Sequence, residues 1–149
     1  MHIPVPWVFT IAYLVGYGAQ FLVPVSIGES VWLTFTEVLG ISLLVVGAVL
    51  AFWAQWIFHK VHTTTVPYGT STKLVDWGPY RFSRNPMYLG LFLFFAGVSV
   101  ALTFVWSLLI LLGVMYYLNS AVVPLEERQL ARSFKEAYQS YFREVRRWL

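Results

Sequence analysis

The residues best equipped for chemistry stand together in the segment 78–90, which reads GPYRFSRNPMYLG. It carries the guanidinium groups of Arg81 and Arg84, the phenols of Tyr80 and Tyr88, and an Asn85-Pro86 pair. Asn is favoured at a helix N-cap and Pro in the first turn, so the pair starts a helix with no functional requirement. The same helix start presents free N–H groups, and Arg84 beside it would strengthen a site for a carboxylate or phosphate. A snorkelling arginine accounts for Arg84 equally well. Tyr88 falls in the first turn of that helix, where its ring or hydroxyl can face a ligand. Other chemistries lack their parts. There is no cysteine, which excludes disulfides, thiolate nucleophiles and Cys-ligated metals. His59 and His62 could share a helix face, but no third metal ligand stands near them. No phosphate-cradling glycine loop, Ser-His-Asp set or paired-carboxylate hydrolase arrangement stands out.

The elements that must position these residues belong to a chain that is 58% hydrophobic, 19% aromatic and 11% charged. A bilayer core demands about 20 consecutive apolar residues per crossing. On that measure the chain predicts an all-α integral membrane bundle of four transmembrane helices, at residues 5–25, 31–58, 86–100 and 102–123, in a single domain covering 1–149. The apolar stretch 86–123 is too long for one crossing, and a hairpin turning near 99–103 returns the chain to the side it left. Gly16 and Gly18 in the first span suit helix packing, and Trp53 and Trp56 suit an interfacial belt. Met1-His2-Ile3-Pro4 lacks the basic region and cleavage site of a signal peptide, so the first span is expected to remain in the mature protein.

A cytoplasmic loop at 59–85 and a cytoplasmic helix at 124–147 complete the layout. The ten Lys and Arg residues fall only in the regions from Lys60 to Arg84 and from Arg128 to Arg147. The positive-inside rule puts both regions, and hence both termini, in the cytoplasm. Basic residues beside spans are a topology signal, so the net charge of +3 does not imply nucleic acid.

In the C-terminal segment Leu130, Phe134, Tyr138, Tyr141, Val145 and Trp148 recur at spacings of three and four, the pattern of an amphipathic helix. Pro124 suits its first turn, and Glu126 and Glu127 suit its positive dipole end. Such a helix could lie on anionic lipid or close over the cytoplasmic mouth of the bundle. The stripe extended back from Leu130 lands on Glu126, whereas Glu127 is rotated by about 100°. Glu126 is therefore expected to be buried and to need a partner. Replacing Glu127 is expected to affect donor binding little and to leave expression unchanged.

Lys73-Leu74-Val75, Gly78-Pro79-Tyr80, Arg84-Asn85-Pro86-Met87-Tyr88-Leu89-Gly90, and Glu126-Glu127 followed by Phe134, Tyr138 and Tyr141 together resemble the isoprenylcysteine carboxyl methyltransferase and phospholipid methyltransferase superfamily of membrane enzymes. The resemblance covers roughly residues 60–147, and the ordered combination is more specific than any one piece. It implies an S-adenosylmethionine-dependent methyltransferase whose donor binds at the cytoplasmic side. By motif position, the implied cofactor contacts are Thr72, Lys73, Leu74, Val75, Tyr80, Asn85, Pro86, Met87, Tyr88 and Glu126. Arg84 and Tyr88 are the catalytic candidates. The implied acceptor is a lipidic or amphipathic small molecule, with no obligate protein partner and an expected location in a prokaryotic inner membrane.

Three departures from the pattern matter. Asn85 stands where the isoprenylcysteine enzymes most often have His, and Asn cannot titrate. Lys135 stands where the family often has Gly. Val122 stands four residues before Glu126, where those enzymes carry a substrate-contacting Arg, which argues against a prenylcysteine acceptor. Two rival readings remain from sequence. One is a small four-span exporter of cationic compounds built around Glu37, an acid in or near the second span. The other is an inactive relative serving as a membrane interaction protein.

Overall fold

The computed structural model describes residues 4–25, 31–61 and 74–149. Five helices follow one another: α1 Val5–Leu22, α2 Val31–Val61, α3 Pro86–Ala101, α4 Val105–Tyr117 and α5 Val123–Glu144. A 3₁₀ turn, Gly78–Arg81, precedes α3, and a π-helical turn, Leu118–Val122, joins α4 to α5. Among the described residues there is no strand.

Val5–Leu22, Thr34–Val61 and the continuous run Val105–Glu144 are long and apolar enough to cross a membrane, while Pro86–Ala101 is a shorter apolar helix. Charged residues in the last run begin only at Glu126, so its membrane-crossing part lies before that position. The α3–α4 turn falls at residues 102–104, with Thr103 at φ 55°.

The α2–α3 pair is held by an interlocking seam of small residues. A Cβ added to Gly40 would strike the backbone of Ala101, one on Gly97 that of Leu44, one on Gly47 that of Phe94, and one on Gly90 that of Ala51. The pairs advance by four, three and four residues along α2 while retreating by the same steps along α3, so the helices are antiparallel. Spacings of three and four keep one face of each helix on the other over its length. In lipid there is no hydrophobic force between helices, and close backbone approach maximises the dispersion contacts that hold them.

The α1–α4 pair is looser. Gly16 lies directly against the backbone of Ser107, whereas among the described residues nothing lies within 4 Å of a Cβ added at Gly18, so the packing role falls to the first of the two. Phe9, Leu111 and Leu118, all fully buried, fill the space between α1, α3 and α4 with Tyr88 and Val123.

Pro124 supplies no N–H to the turn before it, and the chain widens there into the π-turn. Helix α5 then bends at Lys135, whose φ of 46° and ψ of −118° break it into two arms. After Glu144 the chain runs extended as a strap, residues 145–149, back over the start of α3. Phe134, Tyr138, Tyr141 and Val145 of the expected stripe cluster with Leu74, and Trp148 packs on the core beside Tyr88.

Candidate active site

Gly78 takes φ +64°, a conformation that disfavours a side chain, and a Cβ there would also press on Ile57. This turn swings Tyr80 inward until it is 5% exposed. Its ring meets Phe58 edge-on at 5.0 Å, and its carbonyl accepts a hydrogen bond from the Tyr141 hydroxyl at 2.7 Å. The Tyr80 hydroxyl itself is buried without a hydrogen-bond partner among the described residues. Burial pushes its pKa well above the ordinary tyrosine value, and the neighbouring Tyr141 and Glu126 add to the rise. Val75 packs beside it, and Met87 bridges this cluster to the core around Tyr88.

Tyr88 projects from the first turn of α3 and donates its hydroxyl to Glu126 Oε1 at 2.6 Å. Burial raises the Glu126 pKa to about 6; the Tyr88 hydrogen bond opposes the rise and the Glu127 charge adds to it. Glu126 therefore sits where the helix phase put it, turned inward with a phenol as its partner. Among the described residues, the hydrogen bond to Glu126 is made at Oε1. Tyr80, Tyr88 and Glu126 thus converge from three separate elements.

Arg84 has a different place. Its Nη1 donates to the carbonyls of Phe142 at 2.8 Å and Val145 at 2.9 Å. Its Nη2 pairs with Glu127 at 2.9 Å, and its guanidinium lies 3.9 Å from the Phe142 ring centroid. Both terminal nitrogens are committed to α5 and the strap, while Nε is buried with no hydrogen-bond partner among the described residues.

Glu127 is the hinge of this network. Unlike Glu126, it meets two arginines. Arg147 grips it through Nε at 3.1 Å and Nη2 at 2.6 Å, and its side chain is only 12% exposed. Expression should therefore not be indifferent to its loss. Arg147 Nη1 and the Trp148 indole both reach Asn119 Oδ1, at 3.1 and 3.0 Å.

Asn85 occupies the N-cap position of α3 but makes no side-chain capping bond. Its amide instead donates to the Arg147 carbonyl at 3.2 Å, while Ser83 Oγ takes the Asn85 N–H at 3.1 Å. The backbone N–H of Arg84 bonds the Arg146 carbonyl at 3.0 Å. The start of α3 is thus stitched to the strap.

Of the residues expected at the site, Tyr80, Met87, Tyr88 and Glu126 come together, with Val75 and the buried Pro86 behind them. Leu74 joins the Tyr138–Tyr141 cluster, and Asn85 and Arg84 belong to the strap network. Thr72, Lys73 and His62 lie outside the described residues. Glu37 is exposed on the side of α2, away from this cluster. Asn119 and Arg147 were missed; an amide within an otherwise apolar run was the available signal for the first.

The sequence pattern of the phospholipid methyltransferase family matches residues 35–137. The match takes in Tyr80, Tyr88 and Glu126 and ends just before Tyr138. Comparison with curated proteins gives no match, and neither does comparison with solved structures.

Proposed function

Since the chain belongs to the phospholipid methyltransferase family, we propose that it transfers a methyl group from S-adenosylmethionine to a lipidic or amphipathic acceptor at the cytoplasmic face of a membrane. In this reading α1, α2, α3 and α4 all cross the bilayer and both termini are cytoplasmic. The observation that carries it is the convergence of Tyr88, Glu126 and the unpartnered Tyr80 hydroxyl. A buried hydroxyl with no partner is costly unless a ligand satisfies it, and an inward carboxylate suits ribose hydroxyls or an amino group. These residues fit the donor.

When bound, S-adenosylmethionine supplies an electrophilic methyl group on a sulfonium. The rest is the protein's work. Glu126 orients the donor through Oε2 while Tyr88 holds its other oxygen. The faces of Tyr80 and Tyr88 favour a cation, and Val75, Pro86 and Met87 exclude water. Methyl displacement requires alignment in a dry site more than a strong acid or base, and alignment can supply about 7–11 kcal/mol of a barrier in good cases. Asn85, which cannot titrate, fits that requirement. Arg84 acts here as a positioning residue that seats α5, and so Glu126, over the start of α3. Val122 leaves no cation for a prenylcysteine carboxylate, so the acceptor is of another lipidic kind.

Calorimetric titration of the detergent-solubilised protein with S-adenosylhomocysteine tests the reading. Saturable binding is expected, and no heat of binding up to millimolar ligand would overturn it. Incubation with radiolabelled donor and total membrane lipid should carry label into the lipid phase.

A further inference from the structure

The bend at Lys135 folds the two arms of α5 around a cavity of about 350 Å³. It opens where the chain has just left its apolar run, at the membrane border. Pro124, Ala131 and Phe142 form apolar walls, and Arg128 and Arg143 stand across from each other on opposite arms. Both arginines are exposed, and neither has an ion-pair partner among the described residues. Tyr138 lines the same cavity; it is 3% exposed, and its hydroxyl has no hydrogen-bond partner among the described residues. Glu127, the acid lining this space, is already held by Arg84 and Arg147, which leaves Arg128 and Arg143 as the other charged residues of the lining. Burial pushes the Tyr138 pKa up to about 12, with Glu127 and Glu126 adding and Arg84 and Arg147 opposing, which places the hydroxyl beside the Arg84–Glu127–Arg147 network.

We propose that this crook of α5 binds the phosphate of an anionic membrane phospholipid, as a docking site separate from the donor site. The phosphate would take hydrogen bonds from Arg128, Arg143 and the Tyr138 hydroxyl. The glycerol backbone would lie on Pro124, Ala131 and Phe142, walls that a free phosphate would leave wet. Two cations with an apolar floor suit an amphipathic anion better than a zwitterionic headgroup, whose own cation the arginines repel. A lipid held there braces both arms of α5 and with them the position of Glu126. The inference does not depend on methyl transfer.

The test is retention of phosphatidylglycerol by the full chain in native mass spectrometry, from nanodiscs of phosphatidylcholine containing one-fifth phosphatidylglycerol. Wild type is expected to keep one phosphatidylglycerol. Arg128→Gln/Arg143→Gln should lower retention by about tenfold, as loss of two charge-assisted contacts implies. Tyr138→Phe should lower it by about threefold for a neutral hydrogen bond, with the melting temperature unchanged. S-adenosylhomocysteine affinity in pure phosphatidylcholine should be the same in all three proteins. Equal retention by wild type and the double variant would overturn the proposal. So would displacement of the lipid by inorganic phosphate, by polyglutamate or by S-adenosylhomocysteine, the last because the crook would then be the donor's own cleft. Failure of S-adenosylhomocysteine to bind any of the proteins would count against the methyltransferase reading while lipid retention still reads this one.

Discussion

The α2–α3 seam and the Arg84–Glu127–Arg147 network hold neighbouring parts of the same molecule by opposite means. The seam uses glycines and no charge; its strength is proximity of backbones. The network uses long side chains, two ion pairs and segments far apart in the chain. Packing of small residues needs no partner of a particular chemistry, only room, so it works within lipid. Buried charge needs a specific partner at each oxygen and nitrogen, so it is confined to the end of the bundle where the apolar run of α4 gives way to the charged α5. The outcome is a rigid wall of helices and, above it, a cap whose geometry is set residue by residue.

The comparison can be broken first at the seam. Gly47→Leu places atoms inside the backbone of Phe94, where no rotamer escapes, and should cost upwards of about 3 kcal/mol. Thermal unfolding in detergent should show the loss, and a stable Gly18→Leu control, at a position with open space, shows that the effect is contact rather than helix propensity. The cap comes next. Glu127→Gln leaves the side chain of Arg84, 9% exposed, short of its counter-charge. The expected loss is about 2–3 kcal/mol, discounted because Arg147 is partly solvated. Stability equal to wild type would show that the ion pairs are ornamental.

Glu126 sharpens the contrast because it belongs to the ligand rather than to the cap. Glu126→Gln should weaken S-adenosylhomocysteine binding by about 1.5–2 kcal/mol, one charge-assisted hydrogen bond, with little loss of folding. Its pKa is raised from 4.5 to about 6, so the folded protein holds a proton that the unfolded chain has released. The associated stability is present below pH 4.5 and is lost as pH rises through about 6. Donor affinity should run the other way and fall as pH drops below about 6, because the ionised carboxylate is the acceptor. Both trends should vanish in the Gln variant; a Gln variant that keeps them would assign the titration elsewhere.

The smallest effect concerns Lys135. Its positive φ carries strain of about 1–3 kcal/mol that glycine would relieve, less the entropy that glycine adds to the unfolded chain. Lys135→Gly should raise stability by about 1 kcal/mol without changing donor affinity. A loss would show that the Lys135 side chain has a partner of its own.

Much of this architecture was legible beforehand. Pro86 marked the start of α3, and the spacing from Leu130 to Trp148 phased α5 well enough to turn Glu126 inward. The glycines at 40, 47, 90 and 97 show their seven-residue spacing in the sequence, yet spacing alone does not say which helix each one meets. Glu127 was legible in direction and not in partner, since a helical phase says where a side chain points and nothing about what waits there. Asn85 looked like an ordinary cap until the strap arrived to take its amide. Lys135 sits in an unbroken apolar-stripe pattern, so the periodicity gave no sign of its bend.

By itself, then, the amino-acid order determined the local quantities: which stretches are apolar and long enough for lipid, where prolines open helices, which face of each helix is apolar, and that basic residues gather in two stretches outside the apolar runs. Only the tertiary structure decided the pairings, Tyr88 with Glu126, Arg84 and Arg147 with Glu127, and Gly47 with Phe94. The reason is physical. Helix formation and partition into lipid depend on residues within a turn or two of one another. Satisfying a buried charge or admitting a close backbone contact depends instead on groups brought from tens of residues away, and only the folded chain sets their distance.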